Sequence, residues 1–353
     1  MEERWRFVRI LIVGGSGFLG GELVRLCVSS GHDVGATYLT RPGELPGVAW
    51  LPLDVRSRAD AAAVVGVFRP EVTINAAYRQ RDWTATADGA AYLALAVAAV
   101  GGRLVHVSSD AVFSGSAPRY DETCVPDPVS PYGAAKAAAE TAVRAVLPGA
   151  AIARTSLIIG RGGSPHEALV RSLATGRGDG VLFTDDVRCP VHVADLAAAL
   201  MELTVRGEAG IWHLAGSDPL SRHELGVLIA RRDGLDAARL PTGRRADTAL
   251  PGPYDVRLDC TATQRRLRTR LRGAQEFLAP DPRAADPRAA DTHVSASHHR
   301  ERPCPRTRRP RDAVGVRDAA SYPRCASKRR VRETPTRTVV PGAMVTGSFG
   351  GMS

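Results

Sequence analysis

Lysine is almost missing from this chain. Of 47 basic side chains in 353 residues, only Lys136 and Lys328 are lysines, and the other 45 are arginines. A chain that places arginine almost everywhere has kept one lysine in SPYGAAKAAAE, four residues after Tyr132. An arginine is a poor substitute for a compact ammonium, so the retention itself marks the segment. Also missing is any run of roughly 18 uncharged apolar residues, which excludes an ordinary membrane-spanning helix. The opening MEERWRFVRILIVGG mixes acids with bases and runs straight into a strand pattern, so it does not read as a secretory signal. The six cysteines (Cys27, Cys124, Cys189, Cys260, Cys304 and Cys325) include no C-x-x-C pair. That argues against a zinc site or disulfide framework and for reduced thiols in the cytoplasm; no metal is expected.

Charge is unevenly placed. The net charge is +10, but residues 281–353 hold 15 basic and 7 acidic side chains, leaving residues 1–280 at +2. This tail contains the repeat DPRAADPRAAD and Pro/Arg-rich text such as RERPCPRTRRPRD, without apolar periodicity. Such a segment buries too little surface to offset its ordering entropy and reads as disordered. A solvated or accidental extension, an arm for an acidic partner, and a small folded module all stay open. Arginines without interleaved aromatics give only salt-sensitive, unspecific attraction, so nucleic acid is not the expected partner.

The body alternates strand and helix. RFVRILIVGG reads as a buried strand, and FLGGELVRLCVSSG as a helix closed by Gly31. HDVGATYL and VAWLPLDV follow as strands, then an Ala/Val helix that stops at Arg69 and Pro70. EVTINAA is the fourth strand, DGAAYLALAVAAVGG a helix, RLVHVSSDAVF the fifth strand and AAIARTSLIIG the sixth. Continuous apolar strands separated by helices predict an α/β fold, a Rossmann-type doubly wound parallel sheet covered on both faces. This domain is expected over residues 1–160, with the sheet open to later segments. HEALVRSLATG, VADLAAALMELTV and SRHELGVLIARRDG predict a smaller, mostly helical lobe over 161–280.

GGSGFLG stands between the first strand and the first helix. Gly14 permits a tight turn, Gly17 lets backbone approach a pyrophosphate, and Gly20 allows close helix–strand packing. The helix start then offers aligned N–H groups to the anion. The placement after an apolar strand is what a dinucleotide site requires, and Ser16, Phe18 and Leu19 fall in the same loop. An acid at the end of the second strand would bond the free ribose hydroxyl of NAD. ATYLTRPGE has none until Glu44, whereas Arg41 stands near a 2′-phosphate position. NADPH is therefore the expected cofactor, with NADH the alternative and a solvated Arg41 the plain reading. Asp54 and Val55 are placed beside the adenine, with Asp54 alternatively a helix cap.

Tyr132 and Lys136 share one helix face about a turn apart. An ammonium near a phenol favours phenolate and lowers its pKa, and such a tyrosine can pass a proton to a carbonyl receiving hydride. VHVSSD brings Ser108, Ser109 and Asp110 to the end of the fifth strand, where sites in open parallel sheets form. Taken alone, a Tyr–Lys pair at this spacing also occurs on ordinary exposed helices, and SSD also occurs as a plain turn.

GGSGFLG, LDV, FRPEVTINAA, VHVSSDAVFSG, YDET, SPYGAAKAAAE, ARTSLIIG, RCPVHVADLAAAL, GIWHLAG and VRLDC occur in this order over residues 8 to about 275. In this the chain resembles the extended short-chain dehydrogenase/reductases, and within them it is similar to the dTDP-4-dehydrorhamnose reductases. The resemblance implies a proton-donating Tyr132, an activating and ribose-binding Lys136, and Ser109 as the hydroxyl partner where these reductases usually carry threonine. It implies Gly14, Gly17 and Gly20 along the cofactor pyrophosphate with Asn75, Ala76 and Ala77 passing beside it. Ser109, Asp110 and Arg154 would face a nucleotide-sugar substrate; Arg188, near the smaller lobe, reads either as a partner for its diphosphate or as a solvated arginine. The implied reaction is reduction of a 4-keto-6-deoxy sugar on a nucleoside diphosphate, in a protein expected to be cytoplasmic, with the oligomeric state open and a homodimer among the options. NAAYRQRDW, Thr86 in TADGAA, and SLIIG without an aromatic depart from the family text, leaving the sugar unassigned. A regulatory subunit like the methionine adenosyltransferase beta subunit, and an epimerase or dehydratase holding NAD, are the other readings.

Overall fold

The structure is a computed structural model, and it describes residues 7–279 except 162 and 250. The expected tail lies outside the described residues. Seven strands form one sheet: β1 (Arg9–Val13), β2 (Asp33–Tyr38), β3 (Ala49–Pro52), β4 (Val72–Asn75), β5 (Arg103–Ser109), β6 (Ala151–Thr155) and β7 (Gly210–Leu214). Their order is β7-β6-β5-β4-β1-β2-β3, and every neighbouring pair is parallel. The order reverses at β1, which puts a crevice outside the carboxyl ends of β1 and β4.

Parallel neighbours need crossovers, and the helices supply them. They are α1 (Phe18–Ser29), α2 (Arg58–Phe68), α3 (Gly89–Ala99), α4 (Pro131–Val146), α5 (Pro165–Ala174) and α6 (Val193–Arg206), while α7 (Arg222–Arg232) follows the last strand. Two apolar cores follow from this layering. Ile10 and Ile12 point to the face covered by α1 and α6, while Leu11 and Val13 point to the face covered by α2 and α3. The alternation along one strand is the period of two that buries a sheet on both sides.

VADLAAALMELTV was expected in the smaller lobe, and the structure corrects this. The segment is α6, packed against α1 with Leu196 and Leu200 in the same core as Leu23 and Val24. The reason is topological: β7 lies parallel to β6, so a helix must carry the chain back across the sheet. The smaller lobe is built from α5 and α7. Ser164 and Ser221 cap them, each closing a capping box with the glutamate three residues on, Glu167 and Glu224. Leu173, Leu225 and Ile229 form their shared core. Among the described residues, no helix is long and apolar enough to cross a membrane.

Candidate active site

A cleft of about 1030 Å³ opens at the carboxyl ends of the strands, between the sheet and the smaller lobe. Gly14, Ser16, Gly17, Phe18, Leu19 and Gly20 line one end, with Asp54, Val55, Ala76 and Ala77 beside them. Gly14 takes φ +83°, and the Gly17 N–H donates to its carbonyl at 3.0 Å, closing the turn. Thr37 holds the turn from β2: its Oγ1 accepts from Gly14 N at 3.0 Å. A Cβ on Gly20 would lie 2.0 Å from the Gly14 carbonyl oxygen, so only glycine lets α1 start this close to β1. The start of α1 thus faces the cleft with free N–H groups and no side-chain cap, an anion site by construction.

The other end of the cleft is set by α4. Ser130 caps it, accepting from Gly133 N at 3.1 Å, and Pro131 begins the first turn. A Cβ on Gly133 would meet the Ala111 carbonyl oxygen at 2.0 Å, so this glycine seats α4 on the SSD turn. Tyr132 and Lys136 therefore face Ser109 and Asp110 across the cleft, and all four line it. Lys136 is buried, and its Nζ donates to the Val107 carbonyl at 2.9 Å. Burial pulls its pKa down to about 8, against a smaller opposing pull from Glu140. For Tyr132, burial pushes the phenol above its ordinary 10, Tyr78 and Asp110 add to this, and a hydrogen bond with Ser109 opposes it.

That result corrects one expectation. The phenol beside Lys136 was expected below its ordinary pKa, and burial raises it instead. Three further residues differ from their expected places. Arg154 does not line the cleft: it is 1% exposed and bidentate on Glu140, with Nη2–Oε2 at 2.8 Å. Its remaining contacts are the Cys124 carbonyl and the face of Phe113. Arg41 is exposed and outside the cleft lining, whereas Arg56 lines it, bonded to Asp54 with Nη2–Oδ2 at 2.6 Å. Asp54 is no helix cap, since Ser57 caps α2. Asn75 sits behind the lining. Its Nδ2 meets His106 Nδ1 at 3.2 Å and its Oδ1 accepts from Ala77 N at 3.1 Å, which fixes the strand end beside the glycine turn.

Arg188 does line the cleft, with Arg222, Arg245 and His166 beside it. Ser156 donates to Asp110 Oδ2 at 2.6 Å, tying the SSD turn to β6. Two residues in stretches that depart from the family text have places here that the sequence reading did not assign. Tyr78 lies with its ring centroid 5.7 Å from that of Tyr132 and 5.1 Å from Lys136 Nζ. Thr86 donates to Arg79 O at 2.7 Å and accepts from Arg79 N at 3.2 Å, folding the YRQRDW loop over the cleft. Among the described residues, no cluster of three metal-ligating side chains occurs.

Six arginines and Lys136 line the cleft against two carboxylates, Asp54 and Asp110. A cationic cleft with a helix start at one end and a tyrosine–lysine–serine cluster at the other suits elongated, multiply anionic ligands.

Residues 8–280 match the family model described as RmlD substrate binding domain. The dTDP-4-dehydrorhamnose reductase of Mycobacterium tuberculosis (strain CDC 1551 / Oshkosh) is 33% identical over 265 residues, covering 70% of this chain and 83% of that protein. The methionine adenosyltransferase 2 subunit beta of Xenopus laevis is 30% identical over 283 residues, covering 73% and 82%. The crystal structure of dTDP-4-dehydrorhamnose reductase from Bacillus anthracis str. Ames in complex with NADP superposes with a TM-score of 0.66 at 23% identity. It covers 77% of this chain and 97% of that one, a likeness of fold.

Proposed function

Since this chain belongs to the RmlD substrate binding domain family, we propose that it is an NADPH-dependent reductase of a nucleotide sugar. It would act on the 4-keto group of a nucleoside-diphosphate 6-deoxy sugar, with Tyr132 as proton donor. The observation that carries the reading is the meeting of Tyr132, Lys136 and Ser109 in one cleft with the glycine turn. A bound nicotinamide dinucleotide supplies the hydride. The cleft fits such a group at the Gly14–Gly20 turn, which lines it and where α1 begins without a side-chain cap. No acid stands at the end of β2, where Thr37, Tyr38 and Leu39 line the cleft, so a 2′-phosphate meets no repulsion there. Arg56 is the lining cation on that side.

The chain's own residues handle the proton. Burial keeps the Tyr132 phenol protonated at neutral pH, so it can donate to the ketone oxygen as charge develops there. Ser109 lines the cleft with the phenol, and its influence favours the ionised form against burial. Lys136 has one N–H committed to Val107 and two left to orient hydroxyl groups near the reacting carbon. The similarity to a methionine adenosyltransferase subunit supports a second reading, a regulatory role. Consumption of NADPH with a panel of 4-keto sugar nucleotides separates the two: a reductase turns over without a partner protein, and a regulatory subunit does not.

The reading also gives a pH signature. Below about pH 8 Lys136 is charged, and above it the ammonium is lost in the free protein. We expect kcat/KM to fall above about pH 8, while Tyr132 stays protonated through that range. Stability should move the other way. The unfolded chain keeps the lysine proton up to about 10.5, so between about 8 and 10.5 it binds more protons than the folded one, and this group's destabilisation is relieved as pH rises. Lys136→Met should remove both trends; a wild-type profile flat to pH 10 would contradict the assignment.

A further inference from the structure

The smaller-lobe wall of the cleft holds three guanidiniums that meet on one carboxylate. Arg188 follows Val187 on a two-residue strand, Arg222 opens α7, and Arg245 opens a 3-10 turn (Arg245–Asp247). All three line the cleft, and Asp186 behind them is 0% exposed. Arg188 Nη1 lies 2.9 Å from Asp186 Oδ1, and Arg222 Nε donates to the same oxygen at 3.2 Å. Arg245 donates to Oδ2 through Nη2 at 2.6 Å and through Nε at 3.1 Å. The Asp186 backbone carbonyl also accepts from Arg222 N at 3.0 Å.

Burial alone would raise the Asp186 carboxyl, yet Arg222, Arg188 and Arg245 outweigh it and hold it below the usual range. Asp110 contributes the second acid of this wall, 3.7 Å from Arg188 Nε. His166 is 3.5 Å from Arg222 Nη1 and, with its pKa pulled down to about 4 chiefly by burial, is neutral at neutral pH. The wall therefore carries three positive charges against two negative. A buried ion cluster of this kind is a weak source of stability, and one arginine would suffice to neutralise Asp186. The arrangement gathers cations from three separate segments into one surface beside Ser109 and Asp110.

We propose that Asp186 is a positioning residue: it locks Arg188, Arg222 and Arg245 into a single cationic wall that takes the diphosphate of the substrate. This rests on the nucleotide-sugar reading above. Geometry and charge counting make opposite predictions for Asp186→Asn. Removing a negative charge behind a cationic wall should tighten anion binding if charge alone mattered. If the carboxylate sets the geometry, Arg222 and Arg245 lose their shared anchor and spread away from Arg188, which the Val187, Pro253 and Tyr254 carbonyls still hold, and the wall binds the diphosphate less well.

Calorimetric titration of thymidine diphosphate and of thymidine into the full chain loaded with NADPH tests this. We expect Asp186→Asn to weaken thymidine diphosphate by about tenfold or more, with thymidine and NADPH affinities unchanged. KM for the keto substrate should rise by the same factor, with the loss falling on KM rather than kcat. Arg245→Lys keeps the charge but loses the two-donor contact with Asp186; it should act in the same direction and provides the test if Asp186→Asn does not fold. Diphosphate binding as tight as wild type, or tighter, in the folded variants would overturn the proposal while leaving the reductase reading intact. A wild-type protein that binds no nucleoside diphosphate would overturn both.

Discussion

Tyr132→Phe is expected to lower kcat about 10²- to 10⁴-fold, the usual worth of a positioned proton donor. NADPH affinity should stay within about twofold, because general acid–base loss acts on the transition state rather than on ground-state binding. The phenol makes no contact that holds the glycine turn, and its ring stays packed near Tyr78 when only the hydroxyl is removed. Fluorescence titration of NADPH together with steady-state turnover reads both quantities on one preparation. A variant with near-normal turnover would move the proton donor elsewhere, to Tyr78 or Ser109. A regulatory protein would be indifferent to the change.

Arg154→Met should cost about 3–5 kcal/mol of stability, the range for breaking one partner out of a buried ion pair. Glu140 is buried, and Arg154 supplies three of its hydrogen bonds, at 3.0, 3.2 and 2.8 Å. What remains is the Ser108 hydroxyl at 2.5 Å and the ammonium of Lys136 one turn away on α4. Those two blunt the loss without replacing the guanidinium. Against a total stability of about 5–15 kcal/mol, this variant should unfold at much lower urea. Adding Glu140→Gln should recover part of the loss, since the uncompensated charge is then gone. A midpoint shift worth less than about 1 kcal/mol would show that Arg154 is not the partner Glu140 depends on.

These two residues also show where the sequence was informative. The glycine turn, the alternation of strands and helices and the facing of Tyr132 with Lys136 were legible because each is local. A strand–glycine–helix order, a period of two or of 3.6, and a four-residue spacing all act within a short stretch. Arg154 was misplaced because its partner is 14 residues away in sequence, on the helix α4, and only the folded chain sets which strand residue faces it. Asp186 was invisible for the same reason. Its arginine partners at 222 and 245 are 36 and 59 residues further along. The position of α6 followed from the seventh strand, GIWHL, whose pairing with β6 could not be read from its own pattern. Arg41 and Arg56 lie on neighbouring loops after β2 and β3, and which of them turns into the cleft is decided by the Asp54 carboxylate that holds Arg56.

The central claim is that hydride reaches the keto carbon of a nucleotide sugar in the cleft where Tyr132 and Lys136 meet the glycine turn. It is tested most directly by incubating the full chain with NADPH deuterated at both hydrogens of the nicotinamide C4 and a thymidine-diphospho-4-keto-6-deoxy sugar, then locating the label by mass spectrometry and NMR. The account predicts one deuterium, at C4 of the product, for each cofactor oxidised, and loss of that incorporation in Tyr132→Phe. Product without label, or a sugar nucleotide returned unchanged with the cofactor still reduced, would contradict it.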